Sequence, residues 1–209
     1  MGAFRAAAGV ADGVEFDVRR TADGELVVVH DPVVAGLTVA DSPRSVLPPW
    51  VPTLAEALDA CAGLRYVDIE VKNAPHEPGF DPGPALATAI VEAIPPGVAP
   101  AAVVTCFHLA TVDAARAAGA PATGWLTLPG YNQLAAVDEV AARGHGTILP
   151  PDAATDHRLV VAAHDRGLEV VVWTVNNPAR AAELAGWGVD GCITDRPAPV
   201  AAAVAAAPR

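Results

Sequence analysis

Short β-prone apolar segments alternate with alanine-rich helical segments along this chain, and that alternation limits the possible fold more than any other feature. The predicted strands are GVEFDV (13–18), LVVVH (26–30), YVDIEV (66–71), AVVTCF (102–107), TGWLTL (123–128), GTIL (146–149), EVVVWTV (169–175) and GCITD (191–195). The predicted helices cover 54–63, 83–94, 108–118, 131–143, 155–166, 178–187 and 199–207. The predicted N-caps are Thr53, Thr155 and Asn177. Strands that alternate with helices form right-handed βαβ units on a parallel sheet. We therefore expect an α/β fold.

The segment LVVVH is an exception, because only about seven residues separate it from GVEFDV and a helical crossover needs more than that. Asp23-Gly24 is a dipeptide typical of tight hairpin turns, so we expect an antiparallel return strand. A two-residue loop at these positions places His30 opposite Asp17. A longer loop would move that pairing by a residue.

Seven parallel strands remain once the hairpin return is removed, one fewer than a (β/α)₈ barrel requires. The chain opens with FRAAAGV, which we interpret as the end of a helix with no strand before it. We therefore predict a TIM-type (β/α)₈ barrel with seven parallel strands present and the first strand missing, as one domain over residues 1–209. Open edges at 13–18 and 191–195 would favour self-association.

The charge and the apolar pattern exclude several classes of partner. The formal net charge is −11, from 13 basic and 24 acidic residues, which argues against a nucleic-acid partner or stable membrane association. No apolar run reaches transmembrane length, and the first residues lack the apolar core of a signal peptide. We expect a cytoplasmic protein.

Charged side chains interrupt two of the predicted parallel strands. Glu15 and Asp17 lie two residues apart, so their side chains share one face of the first strand. Asp68, Glu70 and Lys72 alternate onto one face of the second. In a parallel barrel that face is the interior, and the sites of such barrels lie at the carboxyl ends of the strands. We therefore expect acids from the two strands to converge.

The residue types indicate phosphate-ester chemistry. Carboxylates such as Glu15, Asp17 and Glu70 are the hard oxygen ligands that Ca²⁺ or Mg²⁺ prefers. His30 titrates near neutral pH and suits a proton donor, and Lys72 offers a positive charge for a phosphate. Each element also has a plainer interpretation: a solvated strand face, a His-Asp-Pro turn, or a simple ion pair within the second strand. The combination favours metal-assisted cleavage of a phosphate ester.

The motif VEFDVRRTADGELVVVHDP is followed by PTLAEALDA, DIEVKN, WTVNNPA and GVDGCITDRP, and this series resembles the glycerophosphodiester phosphodiesterase family over nearly the whole chain. The resemblance implies a (β/α)₈ barrel that hydrolyses a small-molecule glycerophosphodiester to glycerol 3-phosphate and an alcohol, one route passing through a cyclic phosphate. The residue roles it implies are a divalent cation, Ca²⁺ or Mg²⁺, on Glu15, Asp17 and Glu70, catalysis by His30, and substrate binding by Lys72 and Trp173.

One departure from the family bears on activity. Members open with a strand that carries His-Arg-Gly and then Glu-Asn-Thr, whereas this sequence begins inside what would be the first helix. Either the start is assigned downstream of the true one or the protein is a degenerate relative, and the intact remaining motifs favour the first. As written, the chain is expected to be catalytically impaired.

Two other functions stay open at this stage. A non-catalytic barrel could bind a phosphoester or a metal without turnover. A phosphate-binding isomerase or aldolase barrel would be expected to carry a glycine-rich loop near its last strands, and DGCITDRP does not resemble one.

Overall fold

Strands and helices alternate along the chain in the predicted order, and they fall into two units. The computed structural model describes residue 7 and residues 9–207. The first unit contains Asp12–Thr123, and the second contains Gly9–Ala11 and the chain from Gly124 onward. Each unit has its own parallel strands.

The first unit is built on four strands in the spatial order β6, β5, β1, β2. Strand β5 runs parallel to both β1 and β6, whereas β2 returns antiparallel along β1. The elements in chain order are β1 (Gly13–Arg20), β2 (Leu26–Val28), the small pair β3 (Val33–Val34) and β4 (Leu37–Thr38), α1 (Leu54–Ala60), β5 (Tyr66–Val71), α2 (Ala85–Ala93), β6 (Ala102–Cys106) and α3 (Leu109–Ala117), with 3₁₀ turns at Val39–Asp41, Arg44–Val46 and Ala99–Ala101.

The second unit is built on four parallel strands in the order β7, β8, β9, β10. The elements in chain order are β7 (Thr123–Leu126), α4 (Gln133–Arg143), β8 (Thr147–Leu149), a 3₁₀ turn at Asp152–Ala154, α5 (His157–His164), β9 (Glu169–Val172), α6 (Pro178–Gly186), β10 (Gly191–Cys192) and α7 (Pro197–Ala206). With β1, β5 and β6 of the first unit, these strands account for the seven parallel strands that the sequence predicts.

Buried aliphatic side chains fill each unit. In the first unit the strands contribute residues such as Val18, Ile69 and Val104, all at most 1% exposed. In the second unit Ile148 and Val170 lie in one apolar cluster with side chains of the surrounding helices. Strands apolar on both faces are what a parallel sheet covered by helices requires. Within the residues described, no helix is long and apolar enough to cross a membrane.

The helix caps follow the predicted chemistry at two of the three predicted positions. The Thr53 hydroxyl accepts from Glu56 N, and the Glu56 carboxylate accepts from Thr53 N at 2.8 Å, which completes a capping box for α1. Asn177 caps α6. The prediction of Thr155 as a cap was wrong, because Asp156 accepts from Leu159 N while the Thr155 hydroxyl donates to Pro151 O instead.

The hairpin between β1 and β2 has a longer loop than the predicted two residues. Val18 pairs with Val28, and Arg20 pairs with Leu26, so five residues connect the strands. Asp17 O accepts from Val29 N at 2.9 Å. The residue opposite Asp17 is therefore Val29, and the predicted pairing of Asp17 with His30 was wrong by one position.

Hydrogen bonds within the loop explain that difference. Thr21 N donates to Glu25 O at 2.9 Å, and Glu25 N donates to the Thr21 hydroxyl at 3.0 Å. Thr21 O accepts from Gly24 N at 3.0 Å, with Gly24 at a φ of 89°. Thr21 and Glu25 thus close the turn around three residues instead of two, which shifts the pairing along the strands by one residue.

Candidate active site

The parallel register of β1 and β5 brings four acidic side chains to one place. Glu15 lies beside Asp68 and Asp17 lies beside Glu70 in the ladder. One carboxylate oxygen from each of Glu15, Asp17 and Glu70 lies within 4.8 Å of the other two. The structure therefore brings together the three residues predicted as metal ligands, at a spacing that one oxygen-bound cation can bridge.

Lys72 lies in contact with two of these acids. Its Nζ is 2.8 Å from Asp17 Oδ1 and also contacts Glu70 Oε1, and its side chain is 12% exposed. Burial alone would lower the pKa of Lys72, but the two carboxylates raise it above its ordinary value. The amine is therefore held as an ammonium, which supplies one positive charge to the cluster.

The acids of the cluster are costly to ionise together. Burial raises the pKa of Glu15 from 4.5 to about 9, and repulsion from Asp17, Asp68 and Glu70 adds to the shift. Burial also raises the pKa of Glu70, against which the nearby charges of Lys72 and His30 act. One ammonium does not balance this much negative charge, so a divalent cation would favour the ionised forms.

Asp68 lies behind this group rather than in it. The side chain is fully buried, and its Oδ1 accepts from the Thr105 hydroxyl at 2.6 Å. Its Oδ2 has no hydrogen-bond partner in the part of the chain that the structure describes. Burial raises the pKa of Asp68 to about 7. A threonine hydroxyl is therefore its hydrogen-bond donor.

His30 lies just beyond the end of β2, with an exposed imidazole. Its Nδ1 is 2.8 Å from Asp31 Oδ1, and the side chain is 71% exposed. Its charge lowers the pKa of Glu70, against the larger effect of burial, so the imidazole lies close enough to interact with the acids electrostatically. His30 is accessible to a ligand and to solvent.

Sequence reasoning missed Arg19, which the structure places beside these residues. Arg19 is 5% exposed and donates to the carbonyl oxygen of His30. Its Nη1 pairs with Glu77 Oε2 at 2.8 Å. The alternation of β1 was the available signal, because Arg19 follows Asp17 by two residues and so shares its face.

The segment 73–82, predicted as a loop, connects β5 to α2 and is closed by Asn73. Asn73 Nδ2 donates to Asp81 O and to the Thr111 hydroxyl, both at 2.8 Å, while Asn73 Oδ1 accepts from Asp81 N at 2.8 Å. Asp81 also accepts from Leu86 N near the start of α2. These bonds fix the base of the loop that carries Glu77.

Trp173 lies in the second unit, in the segment that follows β9. Its indole Nε1 donates to Leu149 O at 2.9 Å. Three residues later, Asn176 accepts from Asp195 N at 2.9 Å and from the Thr194 hydroxyl at 3.0 Å. The motifs WTVNNPA and GCITDRP are thus joined by hydrogen bonds within this unit. The predicted substrate contact of Trp173 stays a prediction.

Comparison with known proteins gives one consistent family. The profile of the glycerophosphoryl diester phosphodiesterase family matches residues 1–199. Among curated proteins, the putative glycerophosphodiester phosphodiesterase YhdW of Bacillus subtilis (strain 168) is 26% identical over 210 residues, a match that covers 90% of this chain and 84% of YhdW.

Solved structures similar to this chain come from the same family. A putative glycerophosphoryl diester phosphodiesterase from Silicibacter pomeroyi DSS-3 is 28% identical with a TM-score of 0.80, over 98% of this chain and 86% of that one. A phosphodiesterase from Oleispira antarctica, in complex with the product sn-glycerol-3-phosphate, is 18% identical with a TM-score of 0.80, over 98% of this chain and 90% of that one. These likenesses confirm the predicted α/β fold class of the TIM-type (β/α)₈ barrel, with seven parallel strands present.

Proposed function

The chain belongs to the glycerophosphoryl diester phosphodiesterase family, and on that premise we propose that it hydrolyses glycerophosphodiesters to glycerol 3-phosphate and an alcohol, with residues 1–209 acting as one domain. The observation that carries the proposal is the convergence of Glu15, Asp17 and Glu70 with Lys72 among them. The Oleispira antarctica phosphodiesterase, which holds sn-glycerol-3-phosphate as its product, supports the same product here.

Ca²⁺ or Mg²⁺ fits the three carboxylates. Their oxygens lie within 4.8 Å of one another, and burial raises the pKa of Glu15 to about 9, as expected for an acid cluster whose charge is not balanced. Glu15, Asp17 and Glu70 would hold the cation, which when bound would polarise the phosphoryl oxygens of the substrate.

Two side chains near the acids supply phosphate binding and proton transfer. Lys72 presents its ammonium to a phosphate oxygen and holds the diester against the acid cluster. Hydrolysis breaks the bond between phosphorus and the alcohol oxygen, and that oxygen must gain a proton as it leaves. His30, whose imidazole is exposed, donates this proton. Either water or the neighbouring glycerol hydroxyl supplies the new oxygen on phosphorus and loses its proton to solvent water, from which the imidazole regains the proton that it gave. The second route gives a cyclic phosphate that water then opens.

The test is release of glycerol 3-phosphate from glycerophosphocholine by the 209-residue chain, with Ca²⁺ or Mg²⁺ and with EDTA. We expect release that is slow, in keeping with the impaired catalysis predicted from the sequence, that requires the cation and that falls on Glu70→Gln. His30→Ala should lower kcat by about 10²–10⁴-fold, the usual contribution of one acid–base group. Glu92→Gln, on the exposed part of α2, is the matched control and should behave as the wild type.

Absence of release with either cation would contradict the proposal. Saturable cation binding that depends on Glu70, without any turnover, would instead favour the non-catalytic barrel that binds a phosphoester or a metal.

A further inference from the structure

Arg19 is a buried cation on the acid-bearing face of β1 that the proposed chemistry does not use. Side chains at alternate positions of a strand share a face, so Arg19 follows Glu15 and Asp17 toward the carboxyl end of β1. It is 5% exposed. Burial of a guanidinium is costly unless partners compensate for its lost hydration, so its partners indicate what it does.

In the part of the chain that the structure describes, the guanidinium donates to two groups. Nε and Nη2 donate to the carbonyl oxygen of His30 at 2.9 and 2.7 Å. Nη1 donates to Glu77 Oε2 at 2.8 Å. Three of the five donors, on all three nitrogens, are therefore committed to the hairpin return and to the loop 73–82. An arginine that is this buried, and whose three nitrogens already donate hydrogen bonds, is poorly placed to bind the substrate phosphate.

The His30 imidazole, in contrast, projects into solvent with 71% of its side chain exposed. Its position depends on the hydrogen bond between its Nδ1 and the adjacent Asp31 Oδ1 and on its own backbone, which lies just past the end of β2. The hydrogen bond from Val29 N to Asp17 O joins this return to β1 one residue before His30. The next carbonyl group, that of His30, accepts the two hydrogen bonds from Arg19.

We propose that Arg19, held in place by Glu77, is a positioning residue that fixes the backbone of His30 and so aims its imidazole at the leaving oxygen of the substrate. The inference rests on the proposed function. It adds Arg19 to the residues of the proposed reaction, with an effect exerted through His30. It also makes the position of His30 depend on the loop 73–82. A charged two-pronged donor is required, because a lysine ammonium is a single point donor and cannot reproduce the fork.

The test is the dependence of Arg19→Lys on the leaving group. We expect kcat for glycerophosphocholine to fall about 10- to 100-fold, since a displacement of about 1 Å in a catalytic group costs up to about 10²-fold. KM should change little, because the acids and Lys72 are untouched. A diester with a 4-nitrophenyl leaving group needs little protonation, so its hydrolysis should fall much less. Glu77→Gln should change kcat for each of the two substrates in the same direction as Arg19→Lys does.

Two further variants isolate the pathway through His30. In the His30→Ala background, Arg19→Lys should cause no further loss, because coupled residues are non-additive. Arg20→Lys is the matched control, since Arg20 is the next residue of β1 and pairs with Asp81 of the same loop at 3.3 Å. We expect it to match the wild type for both substrates.

Equal losses for the two leaving groups, or an undiminished loss in the His30→Ala background, would overturn the inference. The ring ¹H–¹⁵N signals of His30 give a readout independent of activity: Arg19→Lys or Glu77→Gln should shift them, and Arg20→Lys should not. A wild-type chain without diesterase activity would refute the proposed function, and unchanged His30 signals in both variants would then refute the positioning role separately. If Arg19→Lys does not fold, Glu77→Gln carries the same comparison.

Discussion

Lys72 is the only lysine among the 13 basic residues of this chain, and it lies at the acid cluster. A lysine ammonium is a compact charge on a flexible stem, whereas a guanidinium is a wide planar fork. The narrow space between Asp17 and Glu70 suits the smaller group. Under the proposed function, the same charge would turn toward a phosphate once a cation takes over the neutralisation of the acids.

Removal of this charge gives a prediction at the residue scale. Lys72→Met should destabilise the cation-free protein by about 3 kcal/mol, because loss of one partner leaves buried charges uncompensated. Urea unfolding in EDTA measures the loss. Saturating Ca²⁺ or Mg²⁺ should reduce it. Arg158→Met, on the exposed face of α5, is the control. Equal losses in the two variants, or a loss that the cation does not change, would contradict the role given to Lys72.

The residues of the site differ in how far the sequence could predict them. Alternation along β1 and β5 placed Glu15, Asp17 and Glu70 correctly together, because face and parallel register follow from local pattern. Arg19 carried the same signal, but its partner Glu77 lies 58 residues away in a loop without a repeating pattern. No local rule pairs two such residues. The contact therefore appears only when the loop is seen folded against the strand.

At the scale of the elements, the predicted strands and helices agree with the structure in type and order, and most of them are shorter at their ends, although β1 runs two residues longer than predicted. Strand β9 ends at Val172, whereas the apolar run predicted a strand through 175. Apolar composition does not show where the hydrogen bonds between strands end. A prediction from sequence therefore extends the strand over apolar residues that have already left the sheet. In the hairpin, the Thr21 side chain sets the loop length and moves His30 by one position, as local bonding by threonine can do.

The start of β1 gives a prediction at this scale. A Cβ on Gly13 would lie 2.1 Å from the Tyr66 carbonyl oxygen of β5, so a side chain would force the two strands apart. We expect Gly13→Ala to destabilise the protein by about 1–3 kcal/mol, as overpacking does. It should also weaken cation binding, because Glu15 lies two residues further along β1. Thermal unfolding and cation titration measure the two effects.

Gly146→Ala is the control for that substitution. Gly146 directly precedes β8, and a Cβ there would meet nothing within 4 Å. If the two alanine variants lose the same stability and bind the cation equally well, the close approach of β1 and β5 does not constrain the site.

At the scale of the whole molecule, part of the acidic excess lies in a buried cluster, where it affects stability more than exposed charge does. The formal net charge is −11, and carboxyls of the cluster have raised pKa values because they are buried together. The stability of the protein should therefore depend on pH and on divalent cations through a few buried groups rather than through its exposed surface. Exposed charges are screened by salt, and buried ones are screened much less.

The last prediction follows from the sign of those shifts. The pKa of Glu15 is raised by burial from 4.5 to about 9, and burial raises that of Asp68 from 3.8 to about 7. Between the lower and the upper values the folded state binds more protons than the unfolded state, so stability falls as the pH rises. Without a cation, Tm should therefore fall from pH 5 to pH 9. Since a cation requires the ionised acids, the gain in Tm that it gives should increase over the same range.

The measurement is Tm by thermal unfolding at pH 5, 7 and 9, with EDTA or with Ca²⁺ or Mg²⁺. A cation at about 100 times its Kd stabilises by about 2.7 kcal/mol, which is roughly 5–10 °C in Tm for a chain of this size. Glu15→Gln cannot ionise, so it should flatten the pH dependence in EDTA and reduce the gain from the cation, whereas Glu92→Gln should do neither. A Tm that is flat from pH 5 to pH 9 without a cation, or a gain that survives Glu15→Gln, would mean that Glu15 does not control the charge of the cluster.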